Sequence, residues 1–575
     1  MSTEATTARE PSTTAQADAL PLPQADAIPL PGSARALLSK VSARAAQAWH
    51  RFEPVLVRVG DWLNPILVKE TRQALKSRYF LIVFILLLAL CWVATIGAVA
   101  VIGPAIYYGA SGSTLLWIYS IFLAVWMLVL VPYAAFRSLA AEREDNTYDL
   151  MSITTLKPRQ IISGKLGSSV AQMMVYFSAL TPCLAFTYLL RGVDLATIIV
   201  LLAYAFFSSL GLSMLGLLLA TSTQNRVSQV FMSVGFIVLL LFACFSGLNG
   251  AYGAIFSGFG FRLLDSHEFW IFTAALSTLY STSFALAFYA ASGMITFATE
   301  NRSTPLRICM LVQQAAWVGW MGYGWIYDQF RLQGIVYMMM FAGMYWYIMG
   351  TMLSGERPEM SQRVKRQLPS TRLGRVYLTW LNPGPGSGYM FVIANTTGLA
   401  AVCVLGMIAS SFSTTAGPGW PGADEVTLLL ILGWSYLVAY LGLGMIVVAA
   451  LRRVAEVTML ASVLVHFLIL LAGSGIPSVV QAMSVEMRDL DYSFMQVTNP
   501  FWSLSHVADG GMAEGYVLVL IVPAAAICML LFNLRGVVRE LQQVRIAPPP
   551  RILADEAELH PPPEALPTNP WDERT

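Results

Sequence analysis

Runs of about twenty residues with almost no charge recur along this chain, each long enough to cross a ~30 Å hydrocarbon layer as an α-helix. In lipid a helix satisfies its own backbone hydrogen bonds, so such runs leave few folds open. Only 12% of the 575 residues are charged and 56% are hydrophobic, where soluble domains carry about 25% charged residues. The expected fold class is therefore an all-α polytopic membrane protein of about twelve transmembrane helices in two six-helix halves. The first six spans fall at about 79–102, 115–136, 168–190, 195–220, 229–250 and 269–297. The second six fall at about 308–327, 334–353, 389–411, 427–450, 459–480 and 515–534.

The basic residues test this division independently, because Lys and Arg accumulate in cytoplasmic loops. With these spans, about 23 basic residues gather on one side, in groups around Lys69, Arg137, Arg302, Arg357, Arg452 and Arg535. The other side has only Arg191, Arg262, Arg331 and Arg488. The alternation puts both termini in the cytoplasm.

Around the spans, residues 1–53 read as a disordered tail that turns basic towards its end, with neither signal nor transit peptide character. Residues 54–78 read as an amphipathic interfacial helix on membrane lipid, Leu63, Ile66, Leu67 and Leu75 facing lipid and Lys69, Arg72, Lys76 and Arg78 facing water. Residues 79–300 form the first half, 301–353 carry spans seven and eight, 354–388 form a basic cytoplasmic loop and 389–534 carry the last four spans. Residues 535–575 end in a proline-rich tail that favours extended chain.

The most informative stretch is the polar island Arg137–Leu166, RSLAAEREDNTYDLMSITTLKPRQIISGKL. Asn146 with Asp149 three residues on reads as an N-cap with a capping-box partner, starting a short helix over Thr147–Ile153. That helix would offer Tyr148, Leu150, Met151 and Ile153. Pro158 suits the first turn of a second helix, where its missing N–H would have no partner anyway. At about thirty residues the island far exceeds the usual two to eight of a helix connection, and its patterning suggests a docking element.

Glu142-Arg143-Glu144-x-x-Thr147-x-x-Leu150-Met151, followed by Thr154-Thr155-Leu156 and Ile161-Ile162-x-Gly164-Lys165, resembles the permease subunits of type-2 ATP-binding-cassette (ABC) transporters. The upstream run from Asn64-Pro65 through Lys69-Glu70 to Ser77-Arg78 is similar to that family's amphipathic lead-in. The likeness covers about residues 60–300, and Asn146 stands where the family has glycine. The resemblance implies that residues 137–167 are the coupling loop of an exporter in the inner (cytoplasmic) membrane. Its ATPase-docking residues would be Glu142, Arg143, Glu144, Asn146, Thr147, Tyr148, Leu150, Met151, Gly164 and Lys165, and the partner a cytoplasmic ABC ATPase subunit.

Energetics point the same way. The spans carry essentially no Asp, Glu, Lys or Arg away from their ends, whereas ion-coupled transporters need such groups within the membrane. No G-x-x-x-x-G-K-[ST] occurs, and Gly164-Lys165 lacks the flanking residues of a P-loop, so ATP would be hydrolysed by a separate subunit. The chain itself is expected to have no enzymatic site, cofactor or metal. Its six cysteines lie in apolar spans without C-x-x-C, and its five histidines are scattered, His466 alone inside a span. Glu486, Asp489 and Asp491 of the outward loop 481–514 lack partners for glycosidase or metal chemistry.

Two alternatives stay open: a twelve-helix secondary transporter, and a membrane scaffold that recruits soluble proteins. The halves also leave a choice. Leu63-Asn64-Pro65 recurs as Leu381-Asn382-Pro383, yet the Glu-Arg-Glu-x-x-Thr pattern occurs once. Either the chain is a fused pair of permease halves, or it needs a second permease copy and forms a homodimer. The substrate is not readable.

Overall fold

The computed structural model describes residues 64–559 apart from 104–108, 110, 145–155, 224–225, 257–264, 298, 328–331, 367, 370, 372–373, 375–377, 412–421, 488–491, 543–544 and 548. Helices α1 (Pro65–Lys76), α2 (Arg78–Ile102), α3 (Gly112–Glu144), α4 (Pro158–Leu189), α5 (Leu195–Ser222), α6 (Arg226–Phe256) and α7 (His267–Ile295) come first. There follow α8 (Ser303–Tyr327), α9 (Leu332–Ser354), α10 (Gln362–Arg366), α11 (Pro385–Ser411), α12 (Ala423–Leu451) and α13 (Met459–Met483). The short α14 (Pro500–Ala508), α15 (Met512–Leu541) and α16 (Pro550–Leu559) complete the order. No strand occurs among the described residues. Met1–Pro65 form one unit and Ile66–Thr575 a separate compact one, which carries all that follows.

Eleven helices among the described residues are long and apolar enough to cross a membrane. They account for every expected span except the seventh. That one, α8, has the length at 25 residues but is less apolar, carrying Gln313 and Gln314 at its middle. Neighbouring helices satisfy the Gln313 amide in full and the Gln314 amide through its N–H. Gln313 donates to Ser283 Oγ at 2.8 Å and accepts from the Tyr345 hydroxyl at 2.9 Å, and Gln314 donates to the Asn395 carbonyl at 3.2 Å. The outward surfaces are apolar to a degree that water would not tolerate. Ile82, Trp92 and Ile96 on α2 are each more than 60% exposed, as are Phe242 and Phe245 on α6. Lipid is the solvent that matches such faces. The chain is an all-α polytopic membrane protein.

Apolar packing gathers in two main regions. Leu87, Leu116, Tyr119, Met127 and Met173 bury between α2, α3 and α4, continuing below through Phe136, Ile162, Leu217 and Phe236. Trp346, Val392, Val438, Leu441 and Ala526 bury between α9, α11, α12 and α15. Helix α7 packs on α8.

Helix boundaries follow local chemistry. Ser77 breaks α1 from α2 by accepting from the Phe80 amide at 3.1 Å, and Thr458 caps α13 in the same way at 3.2 Å. Pro158 opens α4, as its sequence context predicts, with the Lys157 amide donating to Gln160 Oε1 at 2.9 Å. Asn499-Pro500 likewise starts α14.

Three expectations need correction. Most of the described part of the polar island is helix end rather than loop. Helix α3 runs 33 residues, about 50 Å at 1.5 Å per residue, so Arg137–Glu144 continue it beyond the hydrocarbon and the connection is only 145–157. Ile66 does not face lipid: it is 5% exposed, against α4, because a glycine there lets α1 come close. The C-terminal tail is not extended throughout, since Pro550 occupies a first-turn position and α16 runs ten residues. Residues 1–63 and 560–575 lie outside the described residues.

Candidate functional site: a charged clasp at the foot of the first half

The recurrent difficulty in a membrane bundle is a buried charge, and this chain buries a lysine completely. Lys165 sits in the second turn of α4 with its side chain 0% exposed. Its Nζ lies 2.9 Å from Glu142 Oε2 at the end of α3 and 3.3 Å from Glu70 Oε1 on α1. It also donates to the Ser138 carbonyl at 3.3 Å. One ammonium thereby ties three helices together. Such a cluster holds only while complete, because removing one partner strands the other charge without water.

Gly164 explains how α1 gets there. A Cβ on Gly164 would stand 2.8 Å from Ile66 Cβ and 3.1 Å from the Leu67 amide nitrogen. A Cβ on Gly167 would stand 2.7 Å from Leu67 Cδ1. Only bare backbone allows this approach, and the approach is what carries Glu70 to Lys165. The Gly-Lys pair is thus one device: the glycine admits the helix and the lysine binds it.

Of the other residues read from sequence as docking positions, Arg143 donates to the Thr223 carbonyl at the end of α5. Glu144 pairs with Arg137 at 3.6 Å. Asn146, Thr147, Tyr148, Leu150 and Met151 lie outside the described residues. The structure therefore brings Glu142, Gly164 and Lys165 into one clasp immediately below the connection 145–157, with Arg143 fixing the same end to α5. Sequence reading missed Glu70 as the third member, and no local signal marks a partner 95 positions away from Lys165.

The second half contains a comparable centre that the sequence concealed. Arg307 is wholly buried and paired with Glu356 at 2.8 Å. Its guanidinium also donates to the Trp380 and Gly384 carbonyls at 2.6 and 3.1 Å and to Ser387 Oγ at 3.1 Å. Glu356 accepts the Gly384 amide at 2.7 Å, and Glu540 accepts the Gly386 and Ser387 amides at 2.9 and 2.8 Å, capping α11. Gly384, at φ 153°, has no room for a Cβ beside Glu540. The signal available was the Pro-Gly-Pro-Gly-Ser-Gly run, whose free amides need buried acceptors. In the loop 354–388, Met360, Val364 and Leu368 are buried together, so they are not a free docking surface.

Two further buried polar centres lie in the second half. His466 is wholly buried, its Nδ1 2.8 Å from the Ser462 carbonyl, which obliges that nitrogen to carry the proton. Gln481, Ser493, Gln496 and Asn499 form a buried uncharged network beneath α14. No cluster of His, Cys, Asp and Glu able to hold a metal occurs among the described residues. Comparison with family models, curated proteins and solved structures finds no match for the chain.

Proposed function

We propose that the chain is the membrane-spanning permease subunit of an ABC-type exporter, worked by ATP that a separate cytoplasmic subunit hydrolyses. On this reading all twelve long helices cross the cytoplasmic membrane, with both termini on the basic side, and 145–155 docks in a cleft of the ATPase. The observation that carries the proposal is the clasp. Glu142 and Lys165 bracket the connection 145–157 and are fixed to each other and to α1. A push on the connection would therefore reach α1, α3 and α4 as one body rather than dissipate in a soft loop. Charge placement adds support: acidic and basic residues in the described spans lie within about the first or last two turns, which leaves no intramembrane relay for ion coupling.

The test is whether nucleotide hydrolysis by an ATPase co-purified with this chain depends on it. Hydrolysis that follows the chain supports the permease. A chain that moves solute along an ion gradient without nucleotide, or that holds partners without turnover, supports the secondary transporter or the scaffold instead.

A further inference from the structure

Between α1, α2, α3 and α4 lies a half-open cavity of about 700 Å³, within the ~300–1,000 Å³ of ligand pockets. Leu130 and Glu142 of its α3 wall are twelve positions apart, so the cavity extends about 18 Å along that helix. The wall between them is low because it presents Ala134, Ala135 and Ala141. Phe80, Val83 and Leu130 line the apolar end. It lies beside α2, whose buried side chains among the described residues are Val83, Leu87 and Cys91. That stripe is one residue wide. Ile82 and Leu86 next to it are exposed, so the apolar end borders on lipid.

The polar end is electrically complete. Glu70 and Glu142 are matched by Lys165, at 3.3 and 2.9 Å, and by Lys69, at 3.8 Å from each. Two carboxylates facing two ammoniums leave a charged ligand no counter-ion, and a half-enclosed site penalises net charge brought into it. The unfilled capacity is uncharged. The four serines of the lining donate to carbonyls of their own helices. Gln73, Tyr79, Gln172 and Tyr176 line the same cavity, and their side chains make no hydrogen bond among the described residues. Tyr176 is the most telling: it is 4% exposed, its ring lies against Phe80, and its hydroxyl bonds to no described residue. Gln172 stands one turn before it on the same face of α4. Helical side chains lean towards the helix N-terminus, which brings the Tyr176 hydroxyl back towards Gln172.

We propose that this cavity binds a single-chain lipid with an uncharged polyol head, of the monoacylglycerol class. Its hydroxyls lie among Gln73, Gln172 and Tyr176, and its chain passes Phe80 and Val83 into the bilayer between α2 and α3. Hydroxyls suit these partners because amide and phenol groups each donate and accept, as hydroxyls do. A head with carbonyls alone only accepts, and leaves the two glutamine oxygens unpaired. Size agrees. At ~30 Å³ per non-hydrogen atom, the share of a molecule in liquid water, 700 Å³ holds about 23 atoms. That matches a glycerol head with one acyl chain and falls well short of a two-chain phospholipid. The site is built by α1–α4 alone and stands whether or not an ATPase docks.

The experiment uses the full chain, purified in a zwitterionic detergent so that no sugar head competes. It is mixed with equal amounts of monooleoylglycerol, oleylamine and oleoyl-lysophosphatidylglycerol, which share a chain and differ in head charge, then repurified by gel filtration. Bound lipid is counted by mass spectrometry. Monooleoylglycerol is expected to exceed each of the others about tenfold. Ala134→Trp, which fills the cavity, removes that excess. Gln172→Leu and Tyr176→Phe each lower it about threefold, as for one lost hydrogen bond, with unchanged gel-filtration volume and unfolding temperature. Equal retention of the three lipids overturns the proposal, as does preference for the amine or the anionic lipid, or an excess that survives Ala134→Trp. An undiminished excess in both Gln172→Leu and Tyr176→Phe also overturns it, and decides the matter should Ala134→Trp not elute as a single species.

Discussion

Lys165 is the residue on which the foot of the first half depends. In water its ammonium would be one surface charge among many; wholly buried, it is tolerable only because Glu142, Glu70 and the Ser138 carbonyl surround it. Lys165→Met leaves two carboxylates with no buried counter-ion and is expected to cost about 3–5 kcal/mol. Adding Glu142→Gln removes one of those charges and should recover part of the loss. Thermal unfolding in detergent, followed by tryptophan fluorescence, reads both; a single variant as stable as the parent would refute the clasp. Arg307 is similarly enclosed, but its four acceptors lie in a planar fork that a lysine cannot reproduce. Neither centre was legible as such. The sequence displays Glu142, Lys165 and Arg307 as charges near span ends, where hydropathy expects charges to be solvated. Their burial arises from contacts with Glu70 and Glu356, far along the chain.

Among the elements, α1 and α4 show how one glycine governs a helix contact. Gly164→Val is expected to lower stability by about 1–3 kcal/mol through overpacking against Ile66. Ile66→Ala in the same chain should return part of it, because it removes the Cγ2 that a side chain at 164 would strike while leaving the Cβ in place. Unfolding temperatures of the two single variants and the double one measure the coupling, and simple additivity would mean that the helices do not meet there. The helix starts at Pro158 and Asn499 were legible because caps and prolines act locally. The true length of α3 was not. Hydropathy follows the hydrocarbon layer, whereas the helix follows its hydrogen bonds and continues through Glu144. The face of α1 was misread for a related reason: amphipathicity shows which side is apolar but not whether lipid or protein covers it.

At the scale of the molecule, the all-α membrane architecture and the places of eleven of the twelve expected spans were legible, because lipid allows so few alternatives. Orientation comes from basic-residue alternation, and labelling can test it in a cysteine-free background. Asp194→Cys and Asp265→Cys, both on exposed loop residues, should react from outside sealed cells. Glu359→Cys and Glu456→Cys, equally exposed, should react only after permeabilisation. Reaction of Glu359→Cys in sealed cells would invert the second half. The most direct measurement concerns the connection that the clasp supports. Tagged chain is purified from its native membranes, and the amount and hydrolytic rate of any co-purified ABC ATPase are compared with those of a Tyr148→Asp/Leu150→Asp variant. The expected result is normal membrane insertion with loss of both the ATPase and its nucleotide turnover. A variant that retains its full complement of ATPase and the parental rate would contradict coupling through this connection.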